Sequence, residues 1–193
     1  MWHVFSRLLI LAFLVSSCTG EQSTGRLDGA FPPTYDIVLP PDIEHPGLLL
    51  AAADLHDVWL AAAPSGSGAT VVVSLGDKTL GEQEYRLVTT YGGVAVEASS
   101  PIGASYGLYH IAWDLGVRWY HPEEVFIPVS VSALPEYNGD VQGPSFQLRG
   151  FHEHTQHPTV WSDFYMRPDE PMYREHISNY LKWLLIHLHN SIS

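Results

Sequence analysis

The double glycine Gly92-Gly93 is the feature that most constrains how this chain can fold. Apolar and polar residues alternate over 85–89 and again over 94–97, on either side of the two glycines. Such alternation is typical of a strand with one buried face, and two consecutive glycines supply the positive φ angles of a tight hairpin turn. Residues 84–99 are therefore predicted to form a β-hairpin.

The segments that flank this hairpin predict further strands and two helices. A β-branched run that ends at Gly76 is typical of a buried strand. Ser100 and Pro101 suit the start of a helix, because Ser is a good N-cap and Pro fits the first helical position. The predicted elements are a strand over 35–40, a helix over 45–63, a strand over 69–76, a helix over 100–116, and an extended segment with a closing strand over 117–131.

The order of these elements predicts the fold class. A β-α-β-β-α-β order over residues 35–134 indicates an α+β domain, an open sheet with two helices on one face. Gly103 and Gly107 lie four residues apart on the second helix, which leaves room for a close approach to the sheet. Residues 135–144 are rich in Gly, Pro and polar residues and are predicted to be a linker.

A second unit is predicted over residues 145–193. Residues 146–154 suit a strand, and residues 171–190 have apolar residues at helical spacing. The apolar residues that share one face of this helix are Tyr173, Ile177, Leu181, Leu184 and Leu188. A strand, a long loop and one helix cannot enclose a core, so this face is expected to have almost nothing to pack against. The sequence is therefore expected to be a truncated piece of a longer chain, or to be completed by a partner.

Charge and composition limit the function classes. The 193 residues carry a formal net charge of −12, and 46% of them are apolar. This charge argues against nucleic acid or an anionic membrane surface as partner, because both require clustered Lys and Arg. The apolar fraction is enough for a folded core.

The first residues predict export. Arg7 precedes the apolar run Leu8–Val15, which is long enough for a signal peptide and too short to cross a bilayer. The small residues before Cys18, the single cysteine of the chain, resemble the bacterial lipobox. That resemblance implies a signal peptide over 1–18, a lipid anchor on Cys18, a flexible tether over 19–34, and an exported lipoprotein at the outer membrane or cell surface. A plain secretory signal with a chance cysteine is the alternative.

The second helix and the segment after it resemble a known accessory domain. The sequence SPIGASYGLYHIAWDLGVRWYHPEE over 100–124, with its GASYG and LGVRWY motifs, resembles the small α/β domain that precedes the catalytic barrel in several glycoside hydrolases. The β-N-acetylhexosaminidases of family 20 and the α-glucuronidases carry such a domain. The segment PSFQLRGF over 144–151 is similar to the opening barrel strand of family 20 enzymes.

This resemblance implies a (β/α)8 barrel cut off after its first unit, in an enzyme that hydrolyses O-glycosidic bonds of carbohydrates. It implies that Arg149 binds sugar hydroxyls, with His152 and His154 at the same barrel mouth. The catalytic carboxylates would lie on later strands outside this sequence, so the chain itself is expected to be inactive. No cofactor or metal is implied.

Two other interpretations stay open. His152 and His154 alternate by two and would share one face of a strand, which resembles the zinc-binding His-x-His of amidohydrolase barrels. His157 is a possible third ligand, and the chain would then belong to a barrel metallohydrolase. The other interpretation is a non-catalytic envelope lipoprotein whose α/β domain binds carbohydrate or protein.

Overall fold

The predicted hairpin lies at the centre of the fold, although its two glycines have different roles. In the computed structural model, strands Tyr85–Thr90 and Gly93–Ala98 pair antiparallel. Gly92 has a φ of 86° and makes the turn. Gly93 instead permits close contact with the next strand, because a Cβ built there would lie 1.8 Å from the carbonyl oxygen of Thr70.

The structure describes residues 35–62, 69–129, 135–149, 167 and 169–189, all within one compact unit of the chain. The elements in chain order are β1 (Tyr35–Val38), α1 (Pro46–Ala62), β2 (Ala69–Leu75), β3 (Tyr85–Thr90), β4 (Gly93–Ala98), α2 (Pro101–Asp114), β5 (Arg118–His121), β6 (Glu124–Phe126), β7 (Asn138–Gln142) and α3 (Pro171–His189). The two strands of the predicted hairpin are thus β3 and β4.

Five of these strands form one mixed sheet with the order β1-β2-β4-β3-β7. β1, β2 and β4 are parallel, while β3 is antiparallel to both β4 and β7. Val71 and Val73 on β2 are buried, and Val72 between them is 42% exposed. The sheet therefore has one covered face, and the α+β prediction of helices on a single face is confirmed.

The core lies between that face and helices α1 and α2. Its largest fully buried side chains on the helices include Trp59, Leu55 and Tyr109, and they pack against Tyr85 and Val96 of the sheet. Burying one such side chain contributes roughly 1.5–3 kcal/mol. One side of α1 therefore packs into the core.

Helix α2 begins as predicted and lies unusually close to the sheet. The hydroxyl of Ser100 accepts from the backbone N–H groups of Ile102 and Gly103, as an N-cap does. A Cβ at Gly103 would lie 2.5 Å from the carbonyl oxygen of Glu84, and one at Gly107 would lie 2.6 Å from Val96 Cγ1. Only glycine permits this packing distance at the two positions.

The end of the predicted domain differs from the prediction. The closing strand expected within 117–131 does not join the sheet, because β5 and β6 pair with each other in a separate two-stranded sheet. The missing strand comes from the predicted linker 135–144, whose residues Asn138–Gln142 form β7 along β3. The hydroxyl of Thr89 and the backbone N–H of Tyr137, 2.7 Å apart, help to hold β7 there.

The predicted second unit is confirmed only in its helix. Residues 145–149 form bends rather than a strand, and the rest of the predicted strand 146–154 lies outside the described residues. The barrel unit is thus not seen in the part of the chain that the structure describes.

The expectation that helix α3 has nothing to pack against is wrong. Tyr180 and Ile186 of α3 are 8% and 0% exposed, and Ile186 belongs to the same core as α1 and α2. The buried side of the helix also differs from the predicted one, because Leu181 is 55% exposed. The helix therefore docks on the α/β domain through a neighbouring stripe.

Within the described part of the chain, no helix combines the length and the apolar character that a membrane span requires.

Candidate functional site

Arg149, the predicted sugar-binding residue, lies against helix α2. Its guanidinium donates to the carbonyl oxygen of Phe146 and, over 3.2 Å, to the hydroxyl of Tyr106. The guanidinium carbon lies 5.7 Å from the centre of the Tyr106 ring. Tyr106 belongs to the GASYG motif and is 5% exposed, so it is a rigid support for the arginine. The structure therefore connects Arg149, from the segment 144–151, to the α/β domain.

The other predicted site residues lie outside the described residues. These are His152 and His154, the third histidine His157, and the lipidation candidate Cys18. Across the ranges that are described, no group of three or more His, Cys, Asp or Glu side chains is placed to hold a metal ion. The roles of the histidines in a sugar pocket or in a metal site stay predictions.

A polar cluster joins the three helices at Asp54. Its carboxylate accepts from Lys182 of α3 over 2.5 Å and from the Tyr109 hydroxyl of α2 over 2.9 Å. The side chain of Asp54 is only 13% exposed. Burial raises the pKa of Asp54 above its ordinary value, although Lys182 and Tyr109 act in the opposite direction. The cluster fixes α3 on the α/β domain.

A second polar chain runs from the core to the surface beside β7. The hydroxyl of Tyr85 lies 2.9 Å from His110 Nδ1, and His110 Nε2 lies 3.2 Å from Asp114 Oδ2. Since a carboxylate accepts only, the Nε2–H group of His110 donates to Asp114. Tyr137 also donates to Asp114, over 3.1 Å. The order Tyr-His-Asp resembles a proton relay, but Tyr85 is 0% exposed and no substrate can reach it.

The pKa of Asp114 is consistent with a structural role for this chain. Burial alone would raise its pKa, but the hydrogen bonds and charges of His110, Tyr137 and Arg118 outweigh burial and lower it. The ionised form is therefore the one that the folded protein stabilises. Burial likewise raises the pKa of the Tyr85 hydroxyl, which keeps it protonated.

A cleft of about 190 Å³ lies between the β5–β6 hairpin and helix α3, and we name it the hairpin–helix cleft. Trp119 and Val125 are cross-strand partners and so lie on the same face of the hairpin. The Trp183 indole N–H donates to the Trp119 carbonyl oxygen over 3.0 Å, which fixes the two walls relative to each other. The residues that line the cleft are Trp119, Pro122, Glu123, Val125, Asn179, Lys182, Trp183 and Ile186.

The sequence did not identify this cleft. Trp119 is 4% exposed, whereas Tyr120, the next residue of the LGVRWY motif, is 66% exposed. Glu123 lies in an exposed turn, and its carboxylate pairs with His176 of α3. Residues 179, 182, 183 and 186 recur at intervals of three or four, so the sequence could have shown that they share one side of a helix. The sequence could not show which surface that side of the helix contacts.

Comparison with known proteins gives a distant structural likeness. No protein-family model matches the sequence, and no curated protein matches it. Among solved structures, the chain is similar to a glycoside hydrolase family GH115 4-O-methyl-α-glucuronidase with specificity for decorated arabinogalactans, at 16% identity and a TM-score of 0.41. The match covers 60% of this chain and 18% of the length of that glucuronidase.

Proposed function

We propose that this chain is the N-terminal part of an exported, lipid-anchored glycoside hydrolase whose α/β domain is a non-catalytic support. The observation that carries the proposal is the contact between Arg149 and Tyr106, because it joins two motifs that the resemblance assigns to successive domains. In this proposal the domain positions Arg149, and Arg149 binds hydroxyl groups of a carbohydrate. Arg suits this task because its N–H donors form a rigid fork.

The uses of the motif residues and charged groups support a non-catalytic role for the α/β domain. Gly103 of the GASYG motif permits close helix packing, and Trp119 of the LGVRWY motif is buried. Asp54 and Asp114 are both engaged by cationic or hydroxyl groups. Glycoside hydrolysis requires two carboxyl groups on either side of one bond, and in this proposal later parts of the enzyme supply them.

Turnover measurements test the proposal. The full 193-residue chain and the longest natural reading frame that contains it are assayed against a panel of aryl glycosides that includes glucuronides and N-acetylhexosaminides. We expect turnover by the longer protein and none by the 193-residue chain. Hydrolysis by the shorter chain, or a longer protein that hydrolyses no glycoside, contradicts the proposal.

Substitutions at Arg149 test its role in the longer protein. Loss of a charge-assisted hydrogen bond costs about 1.5–3 kcal/mol, so Arg149→Ala is expected to lower kcat/KM by roughly 10- to 100-fold. Arg86→Ala is a matched control, because Arg86 pairs with Asp77 on the sheet, over 3.1 Å, far from the segment 144–151 in sequence. Equal effects of both substitutions would show that Arg149 acts through stability alone.

The lipid anchor is a separate part of the proposal. Because Cys18 is the single cysteine, metabolic labelling with an alkyne-bearing palmitate reports on it alone. The label is expected on the wild-type chain and absent from Cys18→Ser, with the neighbouring Ser17→Ala as control. An unlabelled wild-type chain that is still exported would favour the plain secretory signal.

A further inference from the structure

We infer that the hairpin–helix cleft is a binding site for a single neutral sugar residue, separate from any hydrolytic centre. The choice of a sugar among neutral polyhydroxy compounds rests on the proposed function. The cleft and the need for a neutral, hydroxyl-rich ring rest on the geometry of its walls.

The size of the cleft fits one ring. Its volume of about 190 Å³ exceeds that of several water molecules at roughly 30 Å³ each. It also exceeds the roughly 150 Å³ of a cavity that binds benzene. It is smaller than the roughly 300–1,000 Å³ of sites for drug-sized ligands. A monosaccharide unit or a chain end therefore fits, and a longer segment inside the cleft does not.

The walls of the cleft are amphipathic in the way that a sugar ring is. Val125 of the hairpin is 44% exposed and provides accessible apolar surface, whereas Trp119 and Ile186, at 4% and 0% exposed, form the floor behind it. Their positions are fixed by the cross-strand register of β5 and β6 and by the burial of Ile186 at 0% exposure. An apolar surface of this kind can contact the C–H groups of a ring while the polar residues face its hydroxyls.

The polar groups of the cleft keep unused hydrogen-bonding capacity. The amide of Asn179 makes no hydrogen bond to another described residue, and an amide offers both donors and an acceptor. Lys182 has three N–H donors and gives one to Asp54. Glu123 has two oxygens, of which Oε1 faces His176. Together the three side chains offer both hydrogen-bond donors and acceptors. A sugar hydroxyl requires both, because it donates as well as accepts.

The charges of the cleft favour a neutral ligand. Glu123 and Lys182 have opposite formal charges, and each already has an oppositely charged or ionisable partner, His176 and Asp54 respectively. A phosphate or carboxylate ligand would meet the Glu123 carboxylate, and a cation would meet Lys182. The cleft therefore provides no net charge to neutralise an ionic ligand.

Nuclear magnetic resonance titration of the full chain, carrying Cys18→Ser, tests the inference. The probes are methyl glucoside, galactose and N-acetylglucosamine, with glycerol as a polyol control. Because the Trp183 indole N–H bonds across the cleft to Trp119, its signal is expected to shift and saturate with a Kd of about 1 mM, as befits a small contact area. No saturable shift with any sugar, or the same response to glycerol, overturns the inference.

Two cleft variants and one matched control locate the binding. Asn179→Leu removes the unused amide and is expected to weaken binding at least about tenfold. Val125→Trp fills the cleft and is expected to abolish binding, whereas Val141→Trp on β7 is expected to leave it unchanged. Val125 and Val141 are 44% and 50% exposed, so the two replacements are made at similarly exposed positions. Binding that survives both cleft variants overturns the site.

These measurements are independent of the proposed hydrolysis. Sugar binding by the 193-residue chain without turnover by the longer protein would support the cleft and contradict the glycosidase proposal. Turnover by the longer protein with no indole shift would support the glycosidase proposal and contradict the cleft.

Discussion

Replacement of the Asp54–Lys182 pair should show whether α3 is held on the α/β domain by charge. The two side chains are 13% and 29% exposed, and their charged atoms lie 2.5 Å apart. Asp54→Asn keeps the shape and an acceptor for Tyr109, but it leaves the ammonium group without its counter-charge. A fully buried pair would lose about 3–5 kcal/mol, and the partial exposure of Lys182 reduces our expectation to about 2 kcal/mol.

The double variant separates charge coupling from packing. Lys182→Met keeps the aliphatic stem and is expected to cost about 1–2 kcal/mol, because Asp54 then has no cation. Asp54→Asn combined with Lys182→Met leaves no charge and is expected to cost less than about 1 kcal/mol. The free energies of unfolding come from urea denaturation followed by circular dichroism. Costs that add within about 0.5 kcal/mol would refute the coupling.

Three further predictions concern helix α2 and its partners. Ser100→Ala removes the N-cap and is expected to cost about 1 kcal/mol by thermal or urea unfolding, with Ser100→Thr as the control that keeps a hydroxyl. Gly103→Ala places a Cβ 2.5 Å from the carbonyl oxygen of Glu84 and is expected to cost about 1–3 kcal/mol in spite of the better helix propensity of Ala; a more stable variant would refute the close packing. Asp114→Asn is expected to cost about 1 kcal/mol at neutral pH, discounted for the 30% exposure of its side chain. The pKa of Asp114 is lowered in the folded chain, so the stability cost of Asp114→Asn should be present above the unfolded pKa of 3.8 and vanish as the pH falls through the folded pKa. A stability cost that persists in acid would show that the contact with His110 is not ionic.

The sequence alone was enough for the elements with strong local signals. The alternation around Gly92 predicted β3 and β4, and the N-cap at Ser100 predicted α2. These signals are local because a side-chain period of 2 or 3.6 residues and a capping hydroxyl act within one element. The single covered face of the sheet followed from the β-α-β-β-α-β order of these elements.

Only the tertiary structure decided where the polar and irregular segments lie. The β7 sequence NGDVQ has poor strand propensity, yet it forms an edge strand because β3 offers unpaired backbone groups to it. Propensity cannot reveal such a partner across 48 residues, the separation of Thr89 and Tyr137. Because β7 already occupies that edge of β3, the strands within residues 118–126 pair with each other in a separate hairpin.

The candidate site likewise combines features that the sequence predicted with features that only the folded chain decided. The sequence selected Arg149, but not the Tyr106 that supports it, because the two lie 43 residues apart and meet only in the folded chain. Periodicity predicted helix α3 but not the side that is buried, because a helix with apolar residues on neighbouring stripes can dock through either one. The docking of α3 on β5 and α2 buries Ile186 and creates both the Asp54 pair and the hairpin–helix cleft. Local periodicity determined which elements form, and long-range packing determined what their faces meet.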